Sequence, residues 1–147
     1  MAKTKKLITE VIDRLRPIMN FDPLDERPTH TIGQLSAHLH VSLRTLRFYE
    51  QTGLLAPGRA GLRRLYSRED LERLEVIVTL RELEVSLTAI KALMAMIDGD
   101  ERGSEEEAMA RVETILAELA RDNRARIEEL ERINLRIEQA RRNLAGL

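Results

Sequence analysis

Apolar residues recur at helical spacing in six stretches of this chain, and polar or glycine-bearing breaks separate them. The first runs over residues 4–20, where Leu7, Ile8, Val11, Ile12, Leu15 and Met19 form one stripe. Pro17 near its end, then Asp22-Pro23 and Pro28, mark a linker. Thr31 is positioned to cap a short helix, Ile32 to His40, with Ile32, Leu35 and Leu39 on one face. Ser42 follows a tight turn and is a good N-cap for Leu43 to Thr52, which Gly53 ends by the left-handed route. Residues 54–66 break the periodicity and read as a loop shaped by Pro57, Gly58 and Gly61. Ser67, with Asp70 three residues on, opens a helix carrying Leu71, Leu74, Ile77, Val78 and Leu83. Ser86 caps the next, where Leu87, Ile90, Leu93, Met94 and Ile97 face inward and Gly99 stops it.

A polar linker over residues 98–105 follows, and Ser104 caps a final helix to about Leu144. At 1.5 Å per residue it spans about 60 Å. Along it Val112, Leu116, Leu119, Asn123, Arg126, Leu130, Ile133, Ile137, Ala140 and Leu144 alternate in steps of four and three. One helix of this length has no way to bury such a stripe alone, so a partner helix is implied. Asn123 sits where a coiled coil wants an apolar residue. It either fixes register or marks a loosely paired stretch next to Arg126. The division that follows is an N-terminal helix and linker over 1–28, a helix-turn-helix with a loop or wing over 29–98, and a dimerisation helix over 104–147.

Composition narrows the function classes. Of 147 residues, 33% are charged, and there is no cysteine. Disulfides and thiolate metal or redox sites are therefore excluded, and a reducing cytoplasm is expected. No apolar run is long enough to span a membrane, and charged residues interrupt the N-terminal stretch too early for a signal peptide. A net charge of −1 hides a division. From Val41 to Arg68, six arginines stand against one acid, Glu50, a local charge of +5. From Glu69 to Glu107, twelve acids stand against four bases, a local charge of −8. A basic module on an acidic scaffold fits a polyanion-binding head.

The basic module has a geometry. Arg44, Arg47, Phe48 and Gln51 lie at i, i+3, i+4 and i+7 of the second helix of the pair and share one face, while Leu46 and Tyr49 turn inward. Arginines on that face suit insertion into a major groove, where a guanidinium bonds guanine O6 and N7 or a phosphate. The hydroxyls of Ser42 and Thr45 stand at the same helix start and join the candidate contacts. In the wing, Arg59, Arg63, Arg64 and Tyr66 suit phosphate contact, the alternative for Tyr66 being core packing with its hydroxyl at the surface.

The elements T-L-R-F-Y-E, G-L-L-x-P-x-R and R-x-Y-S, in that order over about residues 30–98, resemble the MerR family of bacterial transcription regulators. The resemblance implies an all-α fold with a small β wing: a winged helix-turn-helix followed by a long helix that forms an antiparallel coiled coil in a homodimer. It further implies binding to a palindromic operator in double-stranded promoter DNA, bending and untwisting of that DNA, and engagement of RNA polymerase there. Family contacts with DNA fall on Arg44, Arg47, Phe48, Tyr49, Arg59, Arg64 and Tyr66. Three positions depart from the family pattern. Leu43 replaces a small hydroxyl residue, Arg63 replaces a wing tyrosine, and Glu84-Val85 removes a glycine before the next helix. Without cysteines or a following ligand domain, the chain resembles the short class of the family.

His30, His38 and His40 are expected at the surface rather than around a metal. No cofactor is expected. The N-terminal helix is expected to pack on the body or on a partner's coiled coil, the other reading being a small switch or docking element. Paired carboxylates, a nucleophile with its base and a phosphate-cradling loop are all missing, so an enzyme is not expected. A DNA-architectural or recombination accessory protein on the same fold is the alternative to a promoter regulator, and a coiled-coil module without DNA binding is a third reading.

Overall fold

The computed structural model describes residues 2–56, 58–60, 63–99 and 104–146. Pro57, Gly61 and part of the polar linker lie outside the described residues. Helix α1 (Ala2–Leu15) buries Leu7, Ile8, Val11, Ile12 and Leu15. Pro17 has no N–H to continue the ladder, and the helix gives way to a single 3-10 turn, Arg16–Ile18. Residues 19–28 then run without helix or strand as a strap, fixed by the Asp22 amide donating to the His38 carbonyl at 3.0 Å.

The strap leads into a strand that the spacing does not predict. β1 (Thr29–Thr31) pairs antiparallel with β3 (Arg63–Ser67), with Thr29, His30 and Thr31 opposite Ser67, Tyr66 and Leu65. The wing strand β2 (Gly58–Ala60) pairs on the other side of β3, with Arg59 opposite Arg64, so the sheet order is β1-β3-β2. Three residues are too few to show an alternation, which is why the spacing gives no strand between the linker, which ends at residue 28, and the helix that Thr31 caps.

Between and after the strands come α2 (Ile32–Leu39), α3 (Leu43–Gln51), α4 (Arg68–Glu82) and α5 (Leu87–Asp98). Helix α4 is the centre of the core: every residue from Leu74 to Leu80 is buried, on all sides of the helix. α1, α2, α5 and β3 all pack against it. Ser67 and Asp70 form both bonds of a capping box at its start. Its end turns sharply at Glu84 of the Glu84-Val85 pair, which holds a left-handed φ of 66°. Leu83 of the anticipated apolar stripe is half-buried, and Val85 takes the core position instead.

Helix α6 (Glu105–Ala145) is capped by Ser104, whose hydroxyl accepts from the Glu107 amide at 3.1 Å. Residues 1–111 form one compact unit and 112–147 a second. In the second, Leu116 and Leu119 are half-buried and Asn123 is exposed. Leu130, Ile133, Ile137 and Leu144 are 42–70% exposed. Among the described residues, no helix is long and apolar enough to cross a membrane.

Candidate nucleic-acid interface

The turn between α2 and α3 is fastened locally. Thr31 accepts from the Gln34 amide while Gln34 Oε1 accepts from the Thr31 amide, a complete capping box. His40 takes the left-handed position that ends α2, at φ 56°. The Ser36 hydroxyl then bonds the Val41 carbonyl, and Ser42 Oγ accepts from the Thr45 amide at 3.1 Å. Ser42 and Thr45 also share a hydroxyl–hydroxyl bond of 2.9 Å, so both predicted contact hydroxyls sit together at the start of α3.

Leu46 and Tyr49 anchor α3 in the core, which turns Arg44, Arg47, Phe48 and Gln51 outward. Neither Arg44 nor Arg47 has an ion-pair partner among the described residues. Phe48 is 45% exposed beside them, and Leu43 is exposed as well. The helix ends at Gly53 with φ 79°, a conformation that favours glycine, and the Leu54 amide bonds back to the Tyr49 carbonyl. Leu54 and Leu55 then bury themselves and fix where the wing begins.

Two tyrosines have inward positions. Tyr49, a DNA contact by resemblance, has its ring buried against Arg81, and burial pushes its hydroxyl above the ordinary tyrosine value. Tyr66, left open between phosphate contact and core, is fully buried, and its hydroxyl donates to Glu50. Burial, then the Glu50 hydrogen bond and charge, raise the Tyr66 pKa far above its usual value. The reason is register: Tyr66 lies opposite His30 in the sheet, on strands that close over the core. Arg64 stays half-exposed and pairs through Nε with Glu50 Oε2 at 3.3 Å. Arg59 and Arg63 occupy wing positions in β2 and β3, and their side chains lie outside the described residues.

The histidines correct the surface expectation in part. His30 is buried, with Nε2 at 3.2 Å from both the carbonyl and Oδ1 of Asp25. His38 is half-buried, meets the Asp22 carbonyl through Nδ1, and lies 3.4 Å through Nε2 from Glu75 Oε1. Only His40 is exposed, 3.3 Å from Asp22 Oδ1. Strand pairing and the strap, neither visible in the spacing, carry the first two inward. Among the described residues no cluster of three metal-ligating side chains occurs.

Sequence reasoning also passed over two bracing residues. In the sequence Glu50 stands out only as the lone acid of a basic segment. Arg73 of α4 grips both Asp98 oxygens at 2.7 Å and donates through Nε to the Leu54 carbonyl at 2.6 Å. That fork ties the start of the wing segment to the end of α5.

Residues 30–97, from β1 to α5, match the MerR HTH family regulatory protein model. The HTH-type transcriptional regulator ZntR homolog of Haemophilus influenzae is 31% identical over 112 residues, covering 75% of this chain and 79% of that protein. The chain belongs to the MerR family. As a MerR-family transcription regulator it has longer relatives too. The transcriptional activator TipA of Streptomyces coelicolor is 34% identical over 115 residues, and the match spans 41% of its length. A MerR family regulator from Listeria monocytogenes superposes with a TM-score of 0.61 at 25% identity, covering 74% of this chain and 83% of that one. A transcription regulator from Ralstonia metallidurans, solved in complex with lead(II), gives 0.60 at 29% identity, covering 77% and 86%. The family match begins at His30, so α1 and the whole strap lie outside it, although α1 packs on α4 and α5 within the compact unit.

Proposed function

We propose that this MerR-family regulator binds a palindromic promoter operator as a homodimer, with α3 in the major groove and the wing on the phosphate backbone. The observation that carries the reading is the outward face of α3, where Arg44 and Arg47 have no ion-pair partner among the described residues and stand beside an exposed Phe48. Arg47 and Arg44 read bases or phosphates, Phe48 supplies apolar contact with a thymine methyl or sugar, and Ser42 and Thr45 approach the backbone. Arg59, Arg63 and Arg64 of the wing add sequence-independent phosphate contacts.

Dimerisation through α6 is the second part of the proposal. Leu116, Leu119, Leu130, Ile133, Ile137 and Leu144 form the seam with a second copy and Asn123 sets its register, whereas Val112, expected in the same stripe, is already buried within the single chain. Exposed leucines and isoleucines over several heptads are costly in water and are covered in a coiled coil. Two-fold symmetry of the protein then demands a two-fold operator. Binding bends and untwists the site, which changes how RNA polymerase meets the two promoter elements. Such a regulator works in the bacterial cytoplasm, where the chromosome is.

The test is a gel-shift titration against the intergenic DNA upstream of the chain's own gene, with unrelated DNA as competitor. Retention at high competitor, with one dimer per palindrome, is the expected result. Binding that competitor removes and that collapses steeply with salt would overturn the operator reading in favour of backbone contact alone.

A further inference from the structure

Arg64 and Tyr66 are two residues apart on β3, so their side chains leave the strand on one face. Both meet the same carboxylate. Glu50 Oε1 accepts from the Tyr66 hydroxyl, and Glu50 Oε2 pairs with Arg64 Nε at 3.3 Å. Glu50 stands on α3, three residues beyond Arg47, and its side chain is only 11% exposed. Arg64 is 37% exposed, and its contact with Glu50 is made at Nε. The terminal nitrogens of Arg64 have no hydrogen-bond acceptor among the described residues. A guanidinium held by its inner edge presents its outer edge in a fixed direction.

We infer that Glu50 is a positioning residue for DNA binding: it locks the wing to α3 and aims Arg64 at the phosphate backbone. It touches no DNA itself. A long arginine side chain loses rotamer freedom when it docks, and a side chain already held in place loses less. A carboxylate close to a phosphate is otherwise unfavourable, so its presence inside the basic segment needs such an offsetting role. The buried Tyr66 hydroxyl supplies the second anchor, which keeps Glu50 from following Arg64 into solvent.

The inference rests on the DNA-binding reading above, and the experiment separates the two. Glu50→Ala and Glu50→Gln remove the same charge, so any general electrostatic gain is equal in both. Only Gln keeps an oxygen for Tyr66 or Arg64. Affinity is measured over a salt series for the wild type and both variants, on the upstream intergenic duplex and on a random-sequence duplex, with melting curves to confirm folding. Glu50→Ala is expected to bind about tenfold more weakly than Glu50→Gln. Its log–log salt slope should be shallower by about 1.8, the loss of one phosphate contact per protomer of the dimer. In an Arg64→Ala background the two variants should bind alike. A merely structural role would move the melting temperature and leave the slope unchanged, and equal affinities and slopes for Ala and Gln would overturn the inference. If the wild type binds neither duplex, the DNA-binding reading fails first and takes this role with it.

Discussion

Helix α1 and the second half of α6 carry the same kind of apolar stripe and meet opposite fates. In α1, Leu7, Ile8, Val11, Ile12 and Leu15 are all buried, because α4 and α5 of the same chain lie against them. In α6, Leu130, Ile133, Ile137 and Leu144 face solvent at 42–70% exposure. A helical stripe thus states that a partner is needed, not where the partner is. The distinction has a thermodynamic signature. Burial inside one chain is independent of protein concentration, whereas burial between copies follows mass action.

The largest effect is expected at Leu130→Asp, which should halve the particle mass seen by light scattering to the 16.9 kDa of one chain. A stable dimer in this variant would break the contrast with α1. Ile12→Ala attacks the other side of it: about 2–5 kcal/mol of stability should be lost from the compact unit. Urea midpoints should show that loss equally at low and high protein concentration. Arg47→Ala lies on neither stripe and should leave both midpoint and mass unchanged, while operator binding weakens by about 1–3 kcal/mol in a gel shift. Glu84→Gly relieves a left-handed residue of the compact unit, worth about 1 kcal/mol after the entropy that glycine costs the native state. Only the urea midpoint should rise.

The smallest effect concerns Glu75. Burial raises its carboxyl above the ordinary 4.5, against the opposing pull of the neighbouring His38. A carboxyl whose folded pKa is raised binds a proton more tightly in the native state than in the unfolded one. Its stabilising contribution is therefore complete below 4.5 and is lost as pH rises through the raised value. Glu75→Gln, neutral throughout, should melt slightly higher than the wild type at neutral pH. The gap should close below pH 4.5, and no dependence on protein concentration should accompany it.

Local chemistry was legible in the sequence. The caps at Thr31, Ser42, Ser67, Ser86 and Ser104, the glycine at Gly53 and the outward arginines of α3 all depend on residues within one helical turn of each other. What could not be read depends on distant pairs. β1 exists because Thr29–Thr31 meets a strand more than thirty residues later, and that meeting draws His30 and Tyr66 inward. The same holds for the candidate site. The arginine face of α3 follows from its periodicity, but the Glu50 link to Arg64 and Tyr66 needs the wing to fold back on the helix. The missing glycine before α5 was visible as an anomaly, and the structure shows its resolution: Glu84 itself adopts the left-handed turn.

The five hydroxyl caps have a consequence for the order in which the chain folds. In α2 through α6, a Ser or Thr oxygen accepts from an amide three residues on, a closure that costs little loop entropy and is available before any tertiary contact exists. Helix boundaries are thereby set early and by neighbours. The slow steps left to the chain are the few long-range closures, β1 onto β3 and α1 onto α4, each spanning several tens of residues. A nascent chain can start α2 and α3 as soon as they emerge, but α1, which precedes them, has to wait for α4 before its apolar stripe is covered.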